Sequence, residues 1–459
     1  MTFPCYPDYK DSGVEGLGAV PAHWVFTPIK HLALLNPRKS DFAGDVEQLC
    51  SFVPMEKLKT GVVQLDEERP IEEVIGGYTY FEDGDVLQAK VTPCFENKNV
   101  AIAKGLTNGI GFGSSEINVL RSYQGVNADY LYYRVQEDSY MSFCTSSMIG
   151  AGGLKRVPTE VINNFKIAAP TLCEQTQIAR FLDHETARID ALIEEQQRLI
   201  ELLKEKRQAL ISHAVTKGLD LTVPMKNSGV EWLGEVPVHW RVGNIKYFLE
   251  AIGDVDHYMP QSVDKGIPYV MTGDLMELAS DIQFEECKQV AYDDYLKLSG
   301  RIKTSKGDVV MARYATIGSV SYVDIDTEFL VSYSCVTIKP DLSKVLGIYL
   351  FYYFKSDSFL NGIRAQTNTN TQDNVGVGDI KNLKIALPPA AEQMKIVDYL
   401  QSELGRLDAI SEVSLSTISL AREKRSALVS AAVTGKIDVR GWQPPISTQA
   451  PEFEVAEAL

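Results

Sequence analysis

A chain of 459 residues, 45% hydrophobic and 23% charged, is long enough for about three domains of ~150 residues and a sizeable buried core. Those proportions exclude a wholly disordered, collagen-like or low-complexity chain. The net charge of -16 argues against a protein that coats nucleic acid indiscriminately, because that affinity comes from many Lys and Arg releasing counterions; sequence-specific binding stays open.

No apolar run approaches the ~18 residues of a bilayer span, and Met1 to Ser12 has neither a basic cluster nor an apolar stretch of signal type, so a cytoplasmic location is expected. The seven cysteines (Cys5, Cys50, Cys94, Cys144, Cys173, Cys287, Cys335) are scattered and odd in number, and read as reduced thiols. The six histidines include no i, i+4 pair, which leaves no visible metal ligand set. There is no Gly-x-x-x-x-Gly-Lys-Ser/Thr loop, and the cluster Gly109, Gly111, Gly113 opens no helix. The chain is expected to bind no cofactor and no metal.

In chain order, the first strong signal is a motif that returns. Ser12, Gly13, Val14, Glu15, Leu17, Gly18, Val20, Pro21, His23 and Trp24 recur as Ser228, Gly229, Val230, Glu231, Leu233, Gly234, Val236, Pro237, His239 and Trp240. Short β-like runs follow at Asp85 to Ala89 and Ile117 to Leu120, and in the second copy at Val309 to Ala312 and Val331 to Ile338. The aromatic run Tyr130, Leu131, Tyr132, Tyr133 resembles Tyr349, Leu350, Phe351, Tyr352. Each copy then closes alike: Glu174, Gln175, Ile178, Leu182, Arg188 and Asp190 return as Glu392, Gln393, Ile396, Leu400, Arg406 and Asp408, and Glu205, Lys206, Arg207 as Glu423, Lys424, Arg425.

From Ile178 to Leu210 the apolar residues keep a spacing of three, four or seven without Pro or Gly, which predicts a helix with a coiled-coil-like seam. A helix from Glu174 to Thr216 would be ~43 residues and roughly 64 Å long. Its partner over Ile396 to Leu428 has a looser stripe, interrupted by Gly405 and several serines; Gly218 and Gly435 mark the exits.

The fold class expected is α+β: two similar mixed domains related by pseudo-twofold symmetry, with two long antiparallel coiled-coil helices between them. The expected domains are residues 1–168, a central spacer helix region 169–222, a second domain 223–386, a distal spacer 387–440, and a disordered tail 441–459 with Pro444, Pro445 and Pro451.

The loops read as a surface for nucleic acid. Lys90, Thr92, Phe95, Asn97 and Lys98 mix donors, acceptors and an aromatic, the chemistry that meets base edges and phosphates. Arg313, Tyr314 and Thr316 offer the same in the second copy. Before each long helix lies a further polar segment: Ser146, Ser147, Gly152, Lys155 and Arg156 in one, Gln366, Thr367, Asn368, Asn370 and Gln372 in the other. Glycine permits close backbone approach, and Asn or Gln can pair two-fold with adenine. The scaffold repeats while these loops differ, as expected if each reads a different sequence. A second chemistry is carried by Asp85, Glu96 and Lys98, an acid followed by Glu-x-Lys that a metal-dependent nuclease could use.

The doubled opening motif, the Lys90 to Lys98 stretch with Gly111, Gly113, Ser114 and Ser115, and the doubled Glu-Lys-Arg helix ends resemble the specificity subunit of type I restriction-modification enzymes over nearly the whole chain. One departure is Gly16, where the second copy has Trp232. The resemblance implies a non-catalytic subunit whose two domains each read half of a bipartite double-stranded DNA target. It implies helices that set the gap and dock two methyltransferase subunits, with two motor-nuclease subunits joining for restriction. S-adenosylmethionine, ATP and magnesium would then be held by those partners. Ile189, Leu192, Leu199, Leu203, Lys206, Arg207, Leu407, Ile410, Lys424 and Arg425 are the expected partner-binding residues. An acidic DNA mimic or methyltransferase-binding adaptor would share the charge and the repeat but show no preference among duplexes.

Overall fold

The computed structural model describes every residue except 1–2, 14–17, 43, 152, 315–317, 368–374 and 446–459, and not the side chains of Asp41, Gln366 and Thr367. The chain forms two compact units: Met1–Gln196 with Ser416–Leu459, and Gln197–Leu415. Each contains one globular domain and part of both long helices.

The first long helix, α1, spans Leu172–Lys217 and the second, α2, spans Ala390–Val433. The absence of Pro and Gly inside α1 lets its backbone bonds run unbroken. In α2, Gly405 interrupts the apolar stripe but not the helix. Its cost of about 1 kcal/mol against Ala is offset where the neighbouring Leu404 and Leu407 are buried. The exit glycines Gly218 and Gly435 adopt φ +78° and +74°, the left-handed turn that ends a helix at low cost only for glycine.

Within the first unit, a four-stranded antiparallel sheet runs Ala33–Leu35, Ile117–Ser122, Val86–Ala89, Val100–Ile102. Within the second, the sheet Leu249–Gly253, Cys335–Pro340, Val309–Ala312, Val320–Tyr322 has the same order and direction. A second sheet in each unit contains one parallel pair, Leu49–Val53 with Ile110–Gly113 and Ile267–Val270 with Leu330–Val331. A short pair, Val25–Pro28 with Lys166–Ala169 and Arg241–Asn244 with Lys384–Leu387, leads into each long helix. The fold is α+β, with two similar mixed domains and two long helices.

Each core joins domain to helices. In the first unit Trp24, Tyr130, Tyr140, Ile178, Leu182, Val429 and Val433 are buried together. In the second, Trp240, Tyr349, Tyr353, Ile211, Val215, Ile396 and Leu400 are. Because residues 178–190 meet 433–425 in one unit, and 207–218 meet 408–392 in the other, the helix halves are antiparallel within each unit.

The expected tail begins too early. Trp442 packs edge-on against Phe181 at 5.3 Å and its carbonyl accepts from Gln177 at 2.6 Å; of the tail, residues 446–459 lie outside the described residues. All seven cysteines are unpaired. Among the described residues no helix is long and apolar enough to cross a membrane.

Candidate nucleic-acid interface

The site rests on repeated ties between domain and helix. At the start of α1, Glu174 accepts from the Trp24 indole at 3.1 Å and lies 3.0 Å from His23 Nε2; at the start of α2, Glu392 meets Trp240 at 3.1 Å and His239 at 2.7 Å. The next residue repeats too. Gln175 Oε1 accepts the Asn127 amide and Gln393 Oε1 the Leu346 amide, each at 2.9 Å. A third tie joins the domain to the C-terminal half of a helix: Asp138 accepts from Ser430 Oγ at 3.1 Å, and Asp357 from Ser212 Oγ at 3.0 Å. The sequence repeats Glu174 and Gln175 visibly, but assigns them no role. Asp138 and Asp357 share the short signature Asp-Ser after an aromatic run, and repeat comparison alone could have found them.

On this base the first unit brings sequence-distant loops to one surface. Lys90 follows the central strand; its amide donates to the Glu116 carbonyl and its carbonyl accepts from Val157, both at 3.0 Å. Thr92 binds the exposed hairpin formed by Ile149–Ala151 and Leu154–Arg156. Its hydroxyl donates to the Gly153 carbonyl at 2.6 Å and accepts from the Lys155 amide at 3.0 Å. Arg156 grips Glu116 through two bonds of 2.9 and 2.7 Å, and that guanidinium holds the Glu116 carboxyl below its usual range. Beside them opens a cleft of about 320 Å³ lined by Asn36, Lys39, Tyr78, Lys90 and Ser115. A clamped ribbon beside lysines is the size and charge that fits a DNA groove.

The second unit repeats the backbone frame with other side chains. The Arg313 amide donates to the Ser334 carbonyl at 3.0 Å and its carbonyl accepts from Val375 at 3.1 Å. Here the guanidinium is engaged: it ion-pairs with Asp254, and Nε donates to the Val375 carbonyl at 2.9 Å. Arg313 is buried and is not free to contact bases, a correction to its expected role; Tyr314, under its guanidinium at 5.4 Å, stays half-exposed. Thr316, Asn368, Asn370 and Gln372, like Gly152 in the first unit, lie outside the described residues, as do the side chains of Gln366 and Thr367.

The Lys90 to Lys98 stretch splits three ways. Lys90 lines the cleft beside the hairpin, and Thr92 holds the hairpin itself. Phe95 is 1% exposed in the core, so it cannot stack on a base. Lys98 turns to the helices, donating to Asp138 at 3.0 Å and Ser426 at 2.9 Å, and with Asn97 it lines a second cleft there. Ser146 and Ser147 donate to the Phe143 carbonyl at 2.9 and 2.8 Å and finish a helix. Their hydroxyls serve the backbone rather than a ligand.

The expected partner face is partly consumed internally. Ile189, Leu203 and Leu407 are buried and Leu199 half-buried. Arg207 binds Asp408 at 3.1 Å and Arg425 binds Asp190 at 2.9 Å, one pair in each unit. Leu192, Ile410, Lys206 and Lys424 remain exposed. The nuclease arrangement is not assembled: Asp85 is 2% exposed and held by Arg121 at 2.9 and 2.7 Å, while Lys98 is taken by Asp138. Among the described residues no group of three or more His, Cys, Asp or Glu is placed to hold a metal.

Comparison with known proteins places this architecture. The family model for the type I restriction modification DNA specificity domain matches residues 96–203 and 238–415. The Escherichia coli type I restriction enzyme EcoEI specificity subunit is 37% identical over 162 residues, which cover 35% of this chain and 27% of that protein. The alignment thus spans about a quarter of that relative's length. The MjaVIII specificity subunit of Methanocaldococcus jannaschii is 22% identical over 86% of this chain and 93% of its own. A solved structure from work on complex assembly of the type I R-M system matches with TM-score 0.65 at 18% identity, covering 90% of this chain and 98% of that one. The HsdS subunit of Thermoanaerobacter tengcongensis gives 0.51 at 16% identity, over 92% and 100%. With both copies of the repeat matched, this chain belongs to the type I restriction-modification DNA specificity family.

Proposed function

We propose that this chain is the DNA-recognition subunit of a type I restriction-modification complex, each domain reading one half of a bipartite double-stranded target. The observation that carries this reading is the shared frame at Lys90 and Arg313. In both units the residue after the central strand binds Glu116 or Ser334 on one side and Val157 or Val375 on the other, while the side chains projecting from the frame differ. A common scaffold with unlike tips supplies different contacts to different sequences. Lys90, Thr92, Lys155, Arg156, Tyr314 and the segment 366–372 are the proposed contacts, with good base contacts worth ~1–3 kcal/mol each.

The chain itself carries out no bond chemistry in this proposal. Two methyltransferase subunits dock on the exposed helix residues Leu192, Ile410, Lys206 and Lys424, and two motor-nuclease subunits join them; S-adenosylmethionine, ATP and magnesium belong to those partners. They also enclose the DNA, which offsets the charge of -16. A cytoplasmic setting is part of the same proposal.

The test is competition binding of the chain with its methyltransferase among duplexes of varied sequence. A duplex preference is expected; an adaptor or DNA mimic would bind the methyltransferase and discriminate among none.

A further inference from the structure

The two units differ at one place where domain and helices meet. In the second, Arg207 donates from Nη1 to Asp408 at 3.1 Å and from Nη2 to Glu277 at 2.7 Å, and Lys355 closes on the other Glu277 oxygen. Glu277 comes from a loop on the edge strand, its carbonyl accepting from Tyr322 at 2.9 Å. This carboxylate is clamped by two cations and held below its usual range, the cations outweighing the effect of burial.

In the first unit the helix pair repeats, Arg425 holding Asp190 at 2.9 and 3.2 Å. The loop on the matching edge strand, anchored by Gly61 donating to the Val100 carbonyl at 2.8 Å, carries Thr60 and Val62 and no acid. Gln136 stands where the second copy has Lys355. The result is a cleft of about 720 Å³ walled by Val62, Ile193 and Val429 and faced by Lys98, Arg422 and Arg425. Lys98 and Arg425 already have the partners Asp138 and Asp190; Arg422 is exposed and makes no ion pair among the described residues. Asp190 is the one acid among the lining residues. Gln136 is 2% exposed, and its Oε1 has no hydrogen-bond partner among the described residues.

We propose that this cleft receives an acidic segment of a partner polypeptide. Its carboxylate takes the place against Arg425 and Arg422 that Glu277 takes against Arg207 and Lys355. The second unit shows the chemistry already satisfied by the chain's own loop. The volume and the valine and isoleucine walls fit a stretch of side chains rather than a bare anion, and the unneutralised Arg422 supplies the charge match.

The probe is a fluorescent peptide with the sequence of residues 272–282, centred on Glu277, titrated onto the full chain. Saturable binding is expected, weakened about tenfold or more when the peptide carries Glu277→Gln or the chain carries Arg422→Glu. Arg422 is exposed and makes no ion pair among the described residues, so an unchanged melting temperature should show that the variant is folded. Val62→Glu, which puts a carboxylate on the cleft's own wall, is expected to block the peptide and raise the melting temperature. Binding indifferent to Arg422→Glu and to the peptide's Glu277→Gln, or a short DNA duplex displacing the peptide at equal concentration, would overturn the proposal; inorganic phosphate is expected to compete only weakly.

Discussion

The indole of Trp24 donates to the carboxylate of Glu174 across 150 residues of sequence at 3.1 Å, and the same carboxylate accepts from Tyr6 at 2.7 Å. Glu174 is 5% exposed, whereas its counterpart Glu392 is 28% exposed and accepts from no tyrosine among the described residues. Glu174→Ala leaves two buried donors unpaired and is expected to cost about 2–4 kcal/mol, against about 1–2 kcal/mol for Glu392→Ala. Urea unfolding of both variants checks the order, and equal losses would contradict it.

The repeat made this tie legible before any coordinates: Trp24, His23 and Glu174 each have a partner one repeat away, so their shared importance shows even where their contact does not. The reading loops were less legible. Between Lys90 and Lys98 the chain doubles back, sending Lys90 outward, Phe95 into the core and Lys98 to Asp138; residue type alone cannot tell these directions apart. The role of Arg313 is hidden in the sequence for a related reason. Its partner Asp254 lies 59 residues away, and no local pattern announces such a pair.

Phe95 offers a clean separation of folding from recognition. Phe95→Ala is expected to lose about 3–5 kcal/mol of stability through the cavity left behind, with no change in which duplex is preferred. Lys155→Ala and Lys90→Ala should do the reverse: stability stays within about 0.5 kcal/mol, while affinity falls and the slope of log affinity against log salt drops by roughly one per lysine that contacts phosphate. A changed preference in Phe95→Ala would restore its direct role.

A buried pair gives the chain a pH signature. Burial alone would raise the Glu137 carboxyl, but Arg134 at 2.6 Å outweighs it and holds the carboxyl below its usual range. A carboxyl depressed on folding contributes stability that is present above the unfolded value of about 4.3 and lost as pH falls through the folded value. Glu137→Gln should therefore flatten the loss of stability below about pH 4 and, by leaving Arg134 buried and unpaired, cost about 3–5 kcal/mol at pH 7. Unfolding curves across that window measure both.

The segment after α2 belongs structurally to the first unit. Asp438 donates its amide to the Pro4 carbonyl at 2.7 Å, and Tyr9 OH donates to the Gly435 carbonyl at 3.0 Å. Truncation after Lys436 is expected to lower the melting temperature of the first unit and leave the second unchanged. Trp442→Ala should cost less than the ~3–5 kcal/mol of a fully buried aromatic. Hydrogen exchange of the two units locates the loss.

If the helices set the gap, lengthening both should lengthen it. Four residues inserted after Gln196 and four after Leu415 add about 6 Å of helix, and the preferred gap should grow by one or two base pairs at ~3.4 Å per pair. An unchanged gap with intact activity would refute the ruler.

The most direct measurement is a genome-wide map of methylated adenines in cells carrying this chain with its methyltransferase, repeated after the segments at Lys90–Thr92 and 149–156 are replaced by those of a relative. The account predicts a discontinuous motif of two defined parts, of which the graft changes one and spares the other. A single continuous motif, or a graft that alters both parts, would contradict it.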